Sequence, residues 1–209
     1  MLRKAIILVV LFSFHLPLLA EEMPEVTDRH WTRKYDSYFR KYSKRFFGTA
    51  FDWHWFKAQG IAESGLQKNA RSWTNAKGVM QLMPRTFAEL KKKNPELSNV
   101  MEPRWNIAAG VYYDSSIFSK WQEDRTFLDR MRFMFGSYNA GFRTILRAQR
   151  LSRKKGFDGR DWESIKKIAP DVTRWHHQET LGYINKIEIL MGDAAQPQED
   201  WWSWTLRKQ

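Results

Sequence analysis

Apolar residues in this chain recur at helical spacing almost everywhere, and the apolar–polar alternation of half-buried strands is scarce. Trp31, Tyr35, Tyr38, Phe39 and Tyr42 mark one helical face. Phe51, Trp55, Ala58 and Ala62 mark the next, and Gly65 follows as a natural C′ residue to end it. "LQKNARSWTNAKG" reads as a loop running to Gly78. Pro84 breaks "VMQLMPRTFAELKKK", with a helix after it, and Lys91, Lys92 and Lys93 form its solvated last turn, where cations suit the dipole. Further helices are predicted in "WNIAAGVYYDSSIFSKW", in "DRTFLDRMRFMFGSYNAG" with Gly141 near its end, in "RTILRAQRLSRKKG", in "DWESIKKIA" before Pro170, and in "TLGYINKIEILMG". The expected fold is mainly α, a single domain over residues 45–193.

The flanks differ from this core. Arg3 and Lys4 precede the apolar run "AIILVVLFSFHLPLLA", which ends at small Ala20. This is the layout of a secretory signal peptide. His15 and Pro17 interrupt the run, and it falls short of the roughly 20 residues a spanning helix needs. Residues 1–20 are therefore expected to be a signal peptide, 21–44 an N-terminal helical extension, and 194–209 a Trp-rich C-terminal tail. In that tail Trp201, Trp202 and Trp204 either dock on the domain or touch a partner. The chain has 0 Cys, which excludes disulfides, thiol catalysis and lipid attachment through cysteine. Without Arg3 and Lys4 its 33 basic against 23 acidic residues give a formal charge of +10. Such an exported protein concentrates near anionic polymers, or simply carries a well-solvated surface.

Within "QGIAESGLQKNARSW" stands one acidic residue, Glu63. On a helix it shares a face with Gln59 and Phe56. It falls in the last turn, at the negative end of the dipole and among apolar neighbours. Both features disfavour the ionised carboxylate and raise its pKa. A carboxyl kept protonated near neutral pH can serve as a general acid. Most surface glutamates do no chemistry, and position alone leaves that ordinary reading open.

Four segments in order carry a stronger signal: "AESGLQKNARSWTNAKGVMQLMP", "NIAAGVYY", "GSYNAG" and "ETLGYI". Together they resemble the catalytic domain of the soluble-lytic-transglycosylase (SLT) family, goose-lysozyme-like enzymes of glycoside hydrolase family 23 that act on bacterial peptidoglycan. The resemblance covers roughly residues 45 to 190. The stretch from Tyr138 to Pro170 looks most like the catalytic half of the family's membrane-bound F branch. It implies a lysozyme-like (SLT) fold, with 45–193 as the catalytic domain. It implies that Glu63 is the catalytic acid, and that Ser72 helps orient the substrate. Gln81 and Met83 match the groove-lining segment, Tyr138 an aromatic hydroxyl facing the acid, and Asn139 its neighbour in the Y-N-A-G motif. Tyr183 matches the Tyr of the E-T-x-x-Y element. Read from residues alone, Ser72 is equally a loop or cap residue, Gln81 and Met83 packing, and Tyr138 and Asn139 the fixing of a helix end. The chain departs from the family pattern at Phe135-Gly136-Ser137 and at Leu66.

Glycosidic cleavage commonly takes two carboxylates, and substrate-assisted enzymes are the exception. Peptidoglycan carries its own internal nucleophile in the 2-acetamido group of N-acetylmuramic acid. The resemblance implies a single Glu acid/base and 1,6-anhydromuramic acid ends. A hydrolytic muramidase or chitinase of the same fold, or a non-catalytic wall-binding protein, are the competing readings. No cofactor or metal is expected: His176 and His177 are adjacent, not at ligand spacing, and neither H-E-x-x-H nor G-x-S-x-G occurs. The expected partners are peptidoglycan glycan strands and a cell-wall-associated protein complex. Nucleic acid and a permanent membrane anchor after signal cleavage are not expected, and the expected location is the periplasm.

Overall fold

The structure, a computed structural model, describes residues 31–192. The expected signal peptide and the Trp-rich tail lie outside the described residues. Among the described residues eight α-helices follow one another: α1 Asp36–Phe47, α2 His54–Ser64, α3 Pro84–Lys93, α4 Pro103–Phe118, α5 Phe127–Ala140, α6 Phe142–Lys154, α7 Trp162–Ile168 and α8 His177–Leu190. A 3-10 turn, Ala169–Asp171, extends α7. Among the described residues, extended pairing is confined to two isolated bridges, Arg71 with Lys77 and Lys77 with Leu82. The mainly α reading of the periodicity holds element by element.

The centre is α5, whose Met131, Phe133, Met134, Phe135, Gly136 and Ser137 are all buried. A helix buried on most of its circumference must be surrounded by other elements. It packs against α4, α6 and α8. Burying Phe133 and Phe135 contributes about 1.5–3 kcal/mol each. In turn, α4 packs on α1 and α3. Helix α2 lies between α1 and α8, which brings its C-terminal end toward the middle of the fold. Helix α1 runs through position 44, where the composition had placed a boundary, and it buries Phe39 and Tyr42 in the core.

Polar side chains fix where these helices begin and how they meet. Thr126 caps α5 by accepting from Asp129 N at 3.0 Å, and Asp161 caps α7 from Ser164 N at 2.6 Å. Each such cap is worth about 1 kcal/mol. Arg132 of α5 pairs with Glu188 of α8 at 2.5 Å, with both side chains largely covered. Ser115 of α4 donates to the Phe46 carbonyl of α1 at 3.1 Å. Lys57 of α2 is fully buried, paired with Asp36 and the Thr32 carbonyl, with Trp31 and Trp53 rings beside its ammonium. Among the described residues no helix is long and apolar enough to cross a membrane.

Candidate active site

Glu63 is the penultimate residue of α2. Gly65 ends the helix in the left-handed conformation, at φ 60°, and its N–H reaches Ile61 O at 2.8 Å. The Gly65–Ile61 bond is that of the αL C-cap motif, and Leu66 N also closes back on Gly60 O at 3.4 Å. Leu66 is also left-handed, at φ 60°, which costs a branched L-residue roughly 1–2 kcal/mol. Its side chain is 1% exposed, and that burial offsets the strain. The chain turns sharply at Gly65 and Leu66, two and three residues beyond Glu63.

The following loop is folded back against the end of α2. Lys77 and Leu82 exchange two main-chain hydrogen bonds of 3.0 Å, closing a tight turn over Gly78, Val79, Met80 and Gln81. Ser64 Oγ donates to Val79 O at 2.8 Å, which roots that turn beside Glu63. Asn106 of α4, fully buried, holds it from the other side. Its Oδ1 accepts from Met80 N at 2.7 Å, and its Nδ2 donates to Lys77 O and Val100 O at 2.9 and 2.8 Å. Gly78 has φ 77°, and a Cβ there would stand 2.5 Å from Asn106 Nδ2, so glycine is required twice over.

Two tyrosines complete the walls. Tyr138, near the end of α5, donates its hydroxyl to Met80 O at 2.7 Å, and its ring stands 5.3 Å from that of Tyr113 on α4. Tyr183 of α8 has a buried hydroxyl with no partner in full hydrogen-bond geometry, and it faces Glu63. Burial holds both phenols well above their ordinary range, and a charge on Glu63 pushes them further up, so both stay neutral O–H groups.

The Glu63 carboxyl is pushed up to about 8, first by burial; Tyr183 pulls the other way, Glu179 adds to the rise and Lys186 opposes it. Burial is the largest of these causes, as the apolar neighbours in the sequence had suggested. The residue is enclosed by protein on nearly every side and yet keeps partial contact with solvent. Such a carboxyl holds its proton at neutral pH and can be reached by a ligand.

The six other sequence candidates divide. Tyr138 and Tyr183 converge on Glu63. Gln81 sits in the turn that Tyr138 grips, in a left-handed conformation at φ 44°, with its Nε2 donating to Gly78 O at 2.8 Å. Met83 lies just before α3 and is 42% exposed at the end of the same turn. Ser72 stabilises its own loop, accepting from Ala76 N at 3.0 Å and bonding Thr74 Oγ1 at 2.8 Å. Asn139 turns toward α8: Trp175 Nε1 donates to Thr180 Oγ1 at 2.9 Å, which donates to Asn139 Oδ1 at 2.8 Å. Three residues escaped the sequence reading: Asn106, Asp114 of α4, and Glu179 of α8. Asn106 and Glu179 stand inside motifs that had been singled out. Asp114 carries no local signal, since a lone Asp in "YYDSS" reads as a solvated helix position. Among the described residues no cluster of His, Cys, Asp or Glu could hold a metal ion.

This framework is shared. Residues 40–160 match the Transglycosylase SLT domain, and the chain belongs to that family. Its relatives include the membrane-bound lytic murein transglycosylase F of Shewanella loihica, 31% identical over 169 residues, which cover 79% of this chain and 34% of that one. The corresponding protein of Ectopseudomonas mendocina is 27% identical over 157 residues, covering 74% of this chain and 31% of the other. This chain thus spans about a third of the length of these relatives. Among solved structures, the 70 kDa soluble lytic transglycosylase SLT70 of Escherichia coli superposes with a TM-score of 0.56 at 21% identity, over 77% of this chain and 24% of that one. The fold is lysozyme-like.

Proposed function

We propose that this chain is a peptidoglycan lytic transglycosylase, cleaving the β-1,4 bond between N-acetylmuramic acid and N-acetylglucosamine. One observation carries the reading: Glu63 is a partly exposed carboxyl pushed up to about 8, flanked by two neutral tyrosine hydroxyls. The substrate is inferred from its relatives, which are lytic murein transglycosylases by name. In this mechanism Glu63 donates its proton to the leaving glycosidic oxygen as the C1–O bond breaks. The substrate's acetamido oxygen bonds to C1, giving an oxazolinium ion. Glu63, now a carboxylate, takes the 6-hydroxyl proton, and O6 displaces the acetamido oxygen from C1. The product is a 1,6-anhydro ring, Glu63 ends protonated, and no water is consumed. Tyr138, Gln81 and Met80 hold the turn against which the glycan lies. Ser72, Met83 and Asn139 line or buttress the groove, and Tyr183 orients the acid. Residues 45–193 form the catalytic unit, with export to the periplasm through the first 20 residues.

A second reading has one observation in its favour. Glu179 is exposed on α8, one turn before Tyr183, and its charge bears on Glu63. A second carboxylate in that position could activate water and make the enzyme a hydrolase. Digestion of purified sacculi followed by mass spectrometry separates the two, because the anhydro product is lighter by one water. Muropeptides without anhydro ends would exclude the transglycosylase, and glycan bound but uncut would point to a wall-binding protein. Loss of turnover in Glu63→Gln with binding retained is the expected companion result.

A further inference from the structure

One turn before Glu63 on α2, the Gln59 side chain enters the core and meets Asp114 of α4; both residues are 0% exposed. Gln59 Nε2 donates to Asp114 Oδ1 at 3.3 Å. The remaining oxygen of each group, Gln59 Oε1 and Asp114 Oδ2, is buried without a partner. Unpaired buried acceptors are costly, and an ionised Asp114 would add a full charge with a single neutral donor to balance it. One proton resolves both faults. A carboxylic acid and a primary amide placed edge to edge close a ring of two hydrogen bonds, N–H to the acid carbonyl and O–H to the amide carbonyl. One of these bonds is present, and the atoms that form the other are the two left over.

We propose that Asp114 is a protonated carboxyl at neutral pH, ring-paired with Gln59, and that it acts as a positioning residue for Glu63, a neutral wall behind the acid that also fixes α2 against α4. This rests on the reading of Glu63 as the acid/base. Glu63, from α2, is the charged group that bears on Asp114. Tyr138 of α5, Tyr183 of α8 and Tyr113 of its own helix are the titratable hydroxyls on which it acts. Among the described residues, α1 and α3, which also pack on α4, add no charged group that bears on it. Burial raises Asp114 well above the usual carboxylate range, and a charge on Glu63 raises it further. When Glu63 gives up its proton, Asp114 therefore keeps its own. The order matters for a one-carboxyl mechanism. A second negative charge behind Glu63 would tighten its hold on the proton that it must donate.

Infrared spectroscopy of the full chain tests this directly. Above about pH 8, where Glu63 is ionised, one protonated-carboxyl C=O band should persist. Asp114→Asn removes that band, and the variant folds because two amides rebuild the same ring. Gln59→Leu keeps the band but moves it to higher frequency, since the acid has lost its bonded amide. In the pH profile of turnover, Asp114→Asn shifts the alkaline apparent pKa by less than about half a unit, because a neutral group replaces a neutral group. A downward shift of about one unit or more would mean that a negative charge had been removed, and would overturn the proposal. So would the absence of the band in the native chain. Turnover surviving in Glu63→Gln would instead defeat the acid/base reading; the infrared band is measured without substrate and is unaffected by that outcome.

Discussion

Tyr138 donates its hydroxyl hydrogen to the main-chain carbonyl of Met80 across 2.7 Å, tying the end of α5 to the turn that faces Glu63. The bond joins two motifs 58 residues apart in sequence. Tyr138→Phe keeps the ring against Tyr113 and leaves the Met80 carbonyl without this donor. Stability should fall by about 1 kcal/mol. Turnover should fall further, on the order of a hundredfold, because the turn loses its fixed distance from the acid. Steady-state kinetics beside urea denaturation checks this, and full turnover in the folded variant would count against the role given to Tyr138.

Glu63 makes both stability and activity fall as pH rises, each over its own window. Its ordinary value of 4.5 rises to about 8 in the fold, so the folded state holds the proton more tightly than the unfolded chain. The stabilising effect of protonation is complete below 4.5 and is lost as pH rises toward 8. Glu63→Gln has no such loss. Its Tm should match the native protein in acid and exceed it increasingly through that window. Turnover of the native protein should decline above about 8 as the acid form disappears. Parallel Tm curves for the two proteins would contradict the raised value.

Opposite charges on α8 should tune that decline in opposite directions. Glu179 raises the Glu63 pKa and Lys186 lowers it. Glu179→Gln should move the alkaline limb down, and Lys186→Met should move it up, each by a few tenths of a unit because both side chains are exposed and screened. Shifts of the same sign in both variants would rule out a charge effect.

Trp73 is 97% exposed, on the same loop as Ser72 and Thr74, yet it is a large flat ring. Trp73→Ala should leave stability within about 0.5 kcal/mol. If the ring stacks on glycan, its loss should raise KM severalfold with kcat kept, corresponding to about 1 kcal/mol of contact. An unchanged KM would put Trp73 off the path of the substrate.

Asn106→Ala should be the most damaging of these changes. It strips one acceptor and two donors from Met80 N, Lys77 O and Val100 O, all inside the fold. At roughly 1–3 kcal/mol for each orphaned group, a loss of about 3 kcal/mol or more is expected. A urea denaturation series giving less than about 1 kcal/mol would show that water or a local shift replaces the side chain.

Helices were legible in the sequence because their signals are local. Pro84 opens α3, Gly65 ends α2, and Asp161 caps α7 within a turn of the residues they govern. The expectation for Glu63 came from the same scale, and its motif context singled it out. Its apolar neighbours already pointed to burial as a cause of the raised pKa, but how deep that burial runs could not be read there. Tyr138 of α5 and Tyr183 of α8, which stand beside the acid, lie 75 and 120 residues further along the chain. Asp114 and Asn106 were hidden for the same reason. A polar residue on a helix buried on several sides looks solvated until its neighbours are known. Ser72 illustrates the converse: its bonds lie within four residues, and the ordinary loop-serine reading had already described them.

Asn106 grips the turn at Met80 and Lys77 entirely through main-chain atoms. For Lys77 the identity of the side chain is therefore not what holds the turn in place, whereas Met80 also anchors it through a side chain buried in the core. Lys77 and Met83, which reach toward solvent, can be exchanged during divergence without loosening the frame around Glu63. A lineage can vary the surface beside Glu63 while inheriting the same frame around it, so long as it keeps Asn106 and Gly78.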